Sequence, residues 1–308
     1  MVEVPIPKEK WTGKIGTVTL GAGAKAKVCG GEGGMPFLSY EGAQPRPLIA
    51  GEVSDVCDDL HASVKACFRS VEDPAQYARE WVEVHGADLI CLRLVSTNPE
   101  EMNATAEQAA ATVMKVLAAV DVPLIVYGCG SEEKDARTMG ELSAQAKGQR
   151  LLLGQAEEGI YKSLSAAAMG GDHCVIGFSN LDINLAKQIA ILLTDFGVKK
   201  ESIIVDPLMA ALGMGLEYSY SVNERIRLAG LMGDTMLQVP MLCDCTGAWK
   251  CREATDELPH AGDSQERGVW WEATTALAAL LSGADILVIR HPQAAEIARE
   301  AIKGLRGE

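Results

Sequence analysis

The chain has 308 residues, 48% of them apolar and 23% charged, with a formal net charge of −14. That length and apolar content suffice for a large buried core and exclude disorder as the main state; the length suits two average domains or one α/β barrel. The acidic balance argues against nucleic acid or an anionic membrane as the main partner.

The opening segment differs from the rest. Residues 14–20 (KIGTVTL) and 24–29 (AKAKVC) flank Gly21 and Gly23, a pattern that predicts a β-hairpin. Lys25 and Lys27 suit an exposed edge strand. The glycine cluster 30–37 (GGEGGMPF) is either a phosphate cradle or a flexible connector. It lacks the Lys-Ser/Thr pair of a P-loop and opens no clear helix.

From Pro47 onward, short apolar runs alternate with amphipathic segments. The runs are 47–53, 88–95, 122–127, 150–154, 173–178, 202–205, 237–243 and 285–289. They read as buried parallel strands. Between them lie helix signals. Asp73-Pro74 with Gln76 predicts an N-cap, a proline at the first helical position and a capping partner. Asn98-Pro99 repeats the signal before a helix over 102–119. Further helices are expected over 181–196, 217–232, 268–282 and 292–304, with Gly170-Gly171, Gly197 and Gly283 as stops. Eight strand–helix pairs predict a (β/α)8 TIM barrel at 47–308, with residues 1–46 forming a hairpin and connector. A doubly wound sheet is the alternative, but no GxGxxG follows the first strand.

Barrel sites sit at the C-terminal ends of the strands. Those ends supply Glu52, Asp55, Arg93, Ser96, Asn98, Tyr127, Cys129, Gln155, Glu157, Ser179, Asn180, Asp206, Asp244, Cys245, Thr246, Arg290 and His291. Asn98, Asn180 and His291 double as candidate helix N-caps. Asp206, at a strand end before a proline, either points into the mouth or bonds a neighbouring loop. Cys243, Cys245, Cys251 and His260 invite a metal reading, but the C-x-C-x5-C spacing lacks the usual CxxC knuckle. Cys243 is expected on a buried strand, pointing away from Cys245. No HExxH or GxSxG motif occurs.

No apolar run reaches membrane-spanning length, and the start MVEVPIPKEKW does not resemble a secretory signal. A cytoplasmic chain with reduced thiols is therefore expected.

The segment 206–224 is unusual in placing Met209, Ala210, Ala211, Gly213, Met214 and Gly215 after the sixth strand. Small residues and methionine suit a large, irregular apolar ligand; packing of the loop under its own helix is the other reading. Here DPLMAALGMGLEYSYSVNERIRLAGLMGD (206–234), preceded by NLDINLAKQIAILLTDFGV (180–198), resembles the small subunit of the corrinoid iron–sulfur protein. It is similar also to the delta subunit of the archaeal acetyl-CoA decarbonylase/synthase complex. The likeness extends less densely from the hairpin to residue 292.

The resemblance implies a TIM barrel paired with a large subunit that carries a [4Fe–4S] cluster and a mobile corrinoid-binding domain. It implies a cobamide between that domain and the barrel mouth. It implies a methyl group taken from methyltetrahydrofolate through a separate methyltransferase and passed to acetyl-CoA synthase, in the reductive acetyl-CoA (Wood–Ljungdahl) pathway. On this reading the chain has no catalytic residue and no metal ligand of its own. Asn180, Asp206, Gly213, Met214, Gly215 and Thr246 are its expected cofactor-facing residues. The alternative is a free-standing pterin-dependent methyltransferase. In that related fold Asp and Asn at strand ends hold the pterin, and Asn180 and Asp206 occupy similar places.

Overall fold

The computed structural model describes residues 9–308. The expectation of no secretory leader falls mainly on residues 1–8, outside the described residues. A two-stranded antiparallel hairpin, β1 (Thr17–Leu20) and β2 (Lys27–Gly30), comes first. Eight parallel strands follow: β3 (Leu48–Ser54), β4 (Leu89–Arg93), β5 (Leu124–Tyr127), β6 (Leu152–Ala156), β7 (Cys174–Phe178), β8 (Ile203–Asp206), β9 (Leu242–Asp244) and β10 (Ile286–Ile289). The helices are α1 (Ala62–Lys65), α2 (Pro74–Glu83), α3 (Ala106–Ala119), α4 (Glu132–Gln145), α5 (Tyr161–Gly171), α6 (Ile183–Phe196), α7 (Leu216–Leu231), α8 (Arg252–Thr255), α9 (Ser264–Ser282) and α10 (Pro292–Arg306).

The sheet runs β8-β7-β6-β5-β4-β3-β10-β9. The first barrel strand thus pairs with the last, Leu48 against Ile286. A single bridge, Val205 to Met241, and a 2.9 Å bond from Val205 N to Pro240 O join β8 to β9. This is the expected (β/α)8 barrel. The predicted strand over 237–243 shrinks to β9 because Pro240 has no N–H to give a ladder.

Side chains alternate along each strand. Ile49, Val53, Ile90 and Leu92 point outward to the helices, where they meet Trp81, Val113 and Leu142. Leu48, Ala50, Leu89, Cys91, Ile125, Ile176, Ile204 and Val288 fill the interior. Gly51 faces α2 because a Cβ there would sit 2.3 Å from the Trp81 ring. That close approach lets Trp81 Nε1 donate to the Glu52 carbonyl at 2.9 Å.

The hairpin plugs the lower end of the barrel. Val18, Leu20 and Cys29 join the interior cluster, each essentially inaccessible. Burial of an aliphatic side chain such as Leu20 contributes about 1.5–3 kcal/mol. The glycine-rich connector is anchored rather than free. Its Glu32 carboxylate accepts from Arg227 Nη1 of α7 at 2.9 Å, and Arg227 Nη2 donates to Asp285 at 2.8 Å.

Local signals held in several places. Asp73 caps α2 with Pro74 at its first turn, His291 caps α10, and Gly197 and Gly283 end α6 and α9 in left-handed conformation. Others moved. α3 begins at Ala106, capped by Thr105 with Gln108 as its box partner, so Asn98 instead closes a turn by accepting from Glu100 N. α6 is capped by Asp182, which accepts from two backbone N–H groups, and not by Asn180. Gly170-Gly171 lie inside α5, whose left-handed cap is Asp172. Cys243 and Cys245 do not point apart. Residues two apart on a strand share a face, and both thiols lie in the outer strand–helix layer.

Candidate functional site

The alternation that fills the barrel with Ala50, Cys91, Ile125, Ile204, Leu242 and Val288 carries on by one more step. It puts Glu52, Arg93, Tyr127, Asp206, Asp244 and Arg290 into the top layer, at the C-terminal ends of their strands. Glu52 is buried and accepts from the Nε of both Arg93 and Arg290, with Arg290 Nη2 adding a 3.0 Å bond. Arg93 Nη2 continues the chain to Asp244 and to Thr246 Oγ1. Thr246 donates its hydroxyl to Asp244 at 2.6 Å and its backbone N–H at 3.0 Å. The Arg93 guanidinium lies 5.0 Å over the Tyr127 ring.

Beside this network, Asp206 accepts from Gln155 Nε2 at 2.7 Å, Tyr127 Oη at 3.3 Å and Leu208 N at 2.9 Å. Burial alone would raise the Glu52 carboxyl, but the Arg290 and Arg93 guanidiniums hold it down at about 2. Asp206 lacks such a partner. Burial, reinforced by the Asp244 charge, pushes it up to about 6 against its hydrogen bonds.

Over this layer opens a cavity of about 770 Å³. Its floor is charged; its wall from the loop after β8 is apolar, with Leu208, Met209, Ala210, Ala211 and Met214. The loop is pinned. Ser219 Oγ accepts from Ala210 N at 2.7 Å and donates to Leu208 O at 3.0 Å, while Trp271 Nε1 donates to Leu212 O at 2.7 Å. Met214 alone of that wall stands well out, 62% exposed.

Comparison with known proteins decides the family. The family model described as CO dehydrogenase/acetyl-CoA synthase delta subunit matches residues 17–299. The chain belongs to that delta-subunit family. It is 36% identical to the acetyl-CoA decarbonylase/synthase complex subunit delta of Methanothermobacter thermautotrophicus, over 96% of this chain and 76% of that one. It is 36% identical to the Archaeoglobus fulgidus subunit delta, over 98% of this chain and 70% of the relative. Among solved structures it is similar to dihydropteroate synthase of Xanthomonas albilineans, with TM-score 0.58 and 16% identity, covering 94% of this chain and 98% of that one. The Yersinia pestis enzyme gives 0.57 and 17%, covering 85% and 95%. At such identities the likeness shows the barrel fold.

Of the residues expected to face a cofactor in this delta-family chain, Asp206, Met214 and Thr246 line the cavity. Gly213 and Gly215 sit in the same loop with φ of +79° and +98°, but outside the lining. Asn180 is exposed in the turn before α6, also outside the lining. The floor network of Glu52, Arg93, Asp244 and Arg290 was visible in sequence only as strand-end residues. Period-two alternation counted inward from the apolar layers would have singled it out.

The environment of Asp206 makes a pH prediction. Its folded pKa lies above its unfolded one, so its contribution is present below about pH 4 and lost as pH rises through about 6. Asp206→Asn should therefore gain stability relative to wild type between about pH 4 and pH 7, by on the order of 1–3 kcal/mol. Buried His173 and His291, both lowered to about 4 by burial, act in the opposite sense. The quantity to measure is thus the difference between the two proteins in urea titrations across that range. A difference independent of pH would show that Asp206 is not raised.

Proposed function

We propose that this chain is the small, corrinoid-facing subunit of a methyl carrier. Its partner would be a larger subunit bearing a [4Fe–4S] cluster and a corrinoid-binding domain. The observation that carries this reading is the mouth, a rigid charged floor beside an open apolar wall. A corrin is a broad apolar plate edged with amide arms, and these surfaces match its two characters. On this reading the mouth would cover one face of the cobamide and leave the rest to the partner.

The residues that would hold it are Met214, Met209 and Ala210 against the macrocycle, with Asp206, Gln155 and Thr246 towards amide arms. When bound, the cobamide supplies the cobalt that takes and gives up a methyl group. The chain's own part is to orient and shield. Its apolar wall excludes water from one face, and the Glu52 network keeps the floor fixed. Two thiols near the barrel top, Cys57 and Cys245, are pushed up by burial, so neither offers an ionised nucleophile at neutral pH. On this reading the methyl comes from methyltetrahydrofolate through a separate methyltransferase. It goes to acetyl-CoA synthase in the reductive acetyl-CoA (Wood–Ljungdahl) pathway.

The test is purification from the native source under anoxic conditions. A larger chain containing cobalt and iron should accompany this one. Adding that chain to the isolated small subunit should raise its stability, by about 2.7 kcal/mol at a hundredfold excess over Kd. An isolated chain that binds methyltetrahydrofolate and, without the larger chain, passes its methyl to free cob(I)alamin would replace this reading with the pterin-dependent methyltransferase.

A further inference from the structure

Arginines at a barrel mouth are ordinarily anion receptors, because a guanidinium fork matches carboxylate and phosphate. Here both are engaged from within. Glu52, only 2% exposed, bridges Arg93 and Arg290, and the far nitrogen of Arg93 is held by Asp244 and Thr246. The whole cavity lining carries five acidic side chains against three basic ones. An incoming anion would find only the Nη1 groups without a partner among the described residues, on guanidiniums whose charge Glu52 and Asp244 already balance. It would also meet Asp206 and Asp244, which line the same cavity.

We infer that Glu52 sets the charge class of ligand the mouth accepts: by balancing, together with Asp244, the charges of Arg93 and Arg290 from within, it rejects anions and admits an uncharged ligand face bearing amide groups. Amide N–H groups can donate to the mouth carboxylates without adding charge, which a carboxylate or phosphate cannot do. The rejection of anions stands on the floor geometry alone. The identity of the uncharged ligand rests on the cobamide reading above.

The experiment has two arms. In the first, the full chain is melted in phosphate and in chloride at matched ionic strength. Wild type should show only the non-saturating rise that phosphate, as an excluded salt, gives a protein without a site for it. Glu52→Gln, which leaves Arg290 without its carboxylate and Arg93 held by Asp244 alone among carboxylates, should melt lower in chloride and rise saturably with phosphate. Saturable stabilisation of wild type by phosphate, or a folded Glu52→Gln that ignores it, overturns the inference. If Glu52→Gln does not fold, Asp244→Asn frees Arg93 on one side and should acquire the same phosphate response. A folded Asp244→Asn without it is equally contrary.

In the second arm, the reconstituted complex with the large subunit is offered cobinamide, whose arms are amides, or cobyrinic acid, whose arms are carboxylates. The amide form should bind at least about tenfold more tightly, and Glu52→Gln should narrow that gap. Equal affinities in wild type overturn the inference. Failure of both corrins to bind sinks the cobamide reading, while the phosphate arm still decides the charge rule.

Discussion

Replacing Arg227 with leucine should destabilise the chain by about 3–5 kcal/mol, the usual result of removing one member of a buried ion network. Arg227 is 2% exposed and joins three separate parts of the chain at the lower end of the barrel. It donates to Glu32 of the connector, to Asp285 just before β10, and to the Gly283 carbonyl at the end of α9. Asp285 in turn accepts from Met241 N at 2.6 Å, just before β9. Leucine would fill much of the volume but strand two carboxylates away from water. Burial raises Asp285 well above the ordinary carboxylate range even with Arg227 present. Without the guanidinium the folded state would hold a proton there more tightly still. A raised folded pKa gives stability that is lost as pH rises, so the variant should be least stable at alkaline pH and partly recover on acidification. Adding Glu32→Gln to Arg227→Leu should restore part of the loss. Chemical denaturation of the three proteins at two pH values checks this. A loss below about 1 kcal/mol, the scale of an exposed ion pair, would contradict it.

Glu272→Gln should cost about 2–4 kcal/mol although the shapes are nearly identical. Glu272 is fully buried on α9 and receives only donors: Arg290 N at 2.7 Å, His291 N at 2.9 Å and Trp249 Nε1 at 2.8 Å. An amide has one oxygen. Whichever way it turns, its NH2 faces an N–H and leaves a buried donor unpaired. Burial raises Glu272 to about 7 despite those donors. Its contribution is therefore fully present below about pH 4.5 and lost as pH passes through about 7. The variant should lose that part of the pH dependence while being weaker throughout. Since Glu272 fixes the backbone that carries Arg290, the same substitution should loosen the barrel mouth, read as faster hydrogen exchange at Arg290 and His291. Unchanged stability together with unchanged exchange would show that these three bonds are not needed to hold the end of β10.

What the sequence revealed follows the range over which each signal acts. The barrel strands are legible because each is a short apolar run bounded by a polar loop, and Asp73-Pro74, Gly197 and Gly283 mark helix ends through local backbone rules. Asn98 and Asn180 misled for the same reason. Asparagine closes any turn, and better caps stood at Thr105 and Asp182. Asp206, Met214 and Thr246 could be placed at the mouth from strand ends alone. So could Glu52, Arg93 and Asp244, but not their pairing into a network, because they come from β3, β4 and β9 and Arg93 meets Asp244 only through closure. The Arg227 triad is harder still. Glu32 lies in a glycine-rich stretch that looks mobile, and nothing local links it to a helix almost 200 positions later.

The pairing of β3 with β10 also has a bearing on how the molecule is made. A ribosome delivers the hairpin and β3 well before β10. Until then the growing polypeptide holds an open sheet with two bare edges, a template for sticking to another copy. The lower opening that the hairpin fills is complete only once β10 has closed on β3, so the full seat of the plug waits on that step. Contacts spanning so much of the chain are slow to form. A product cut short before β10 therefore loses closure and plug together, and the delta-type subunit behaves as an all-or-nothing unit during synthesis.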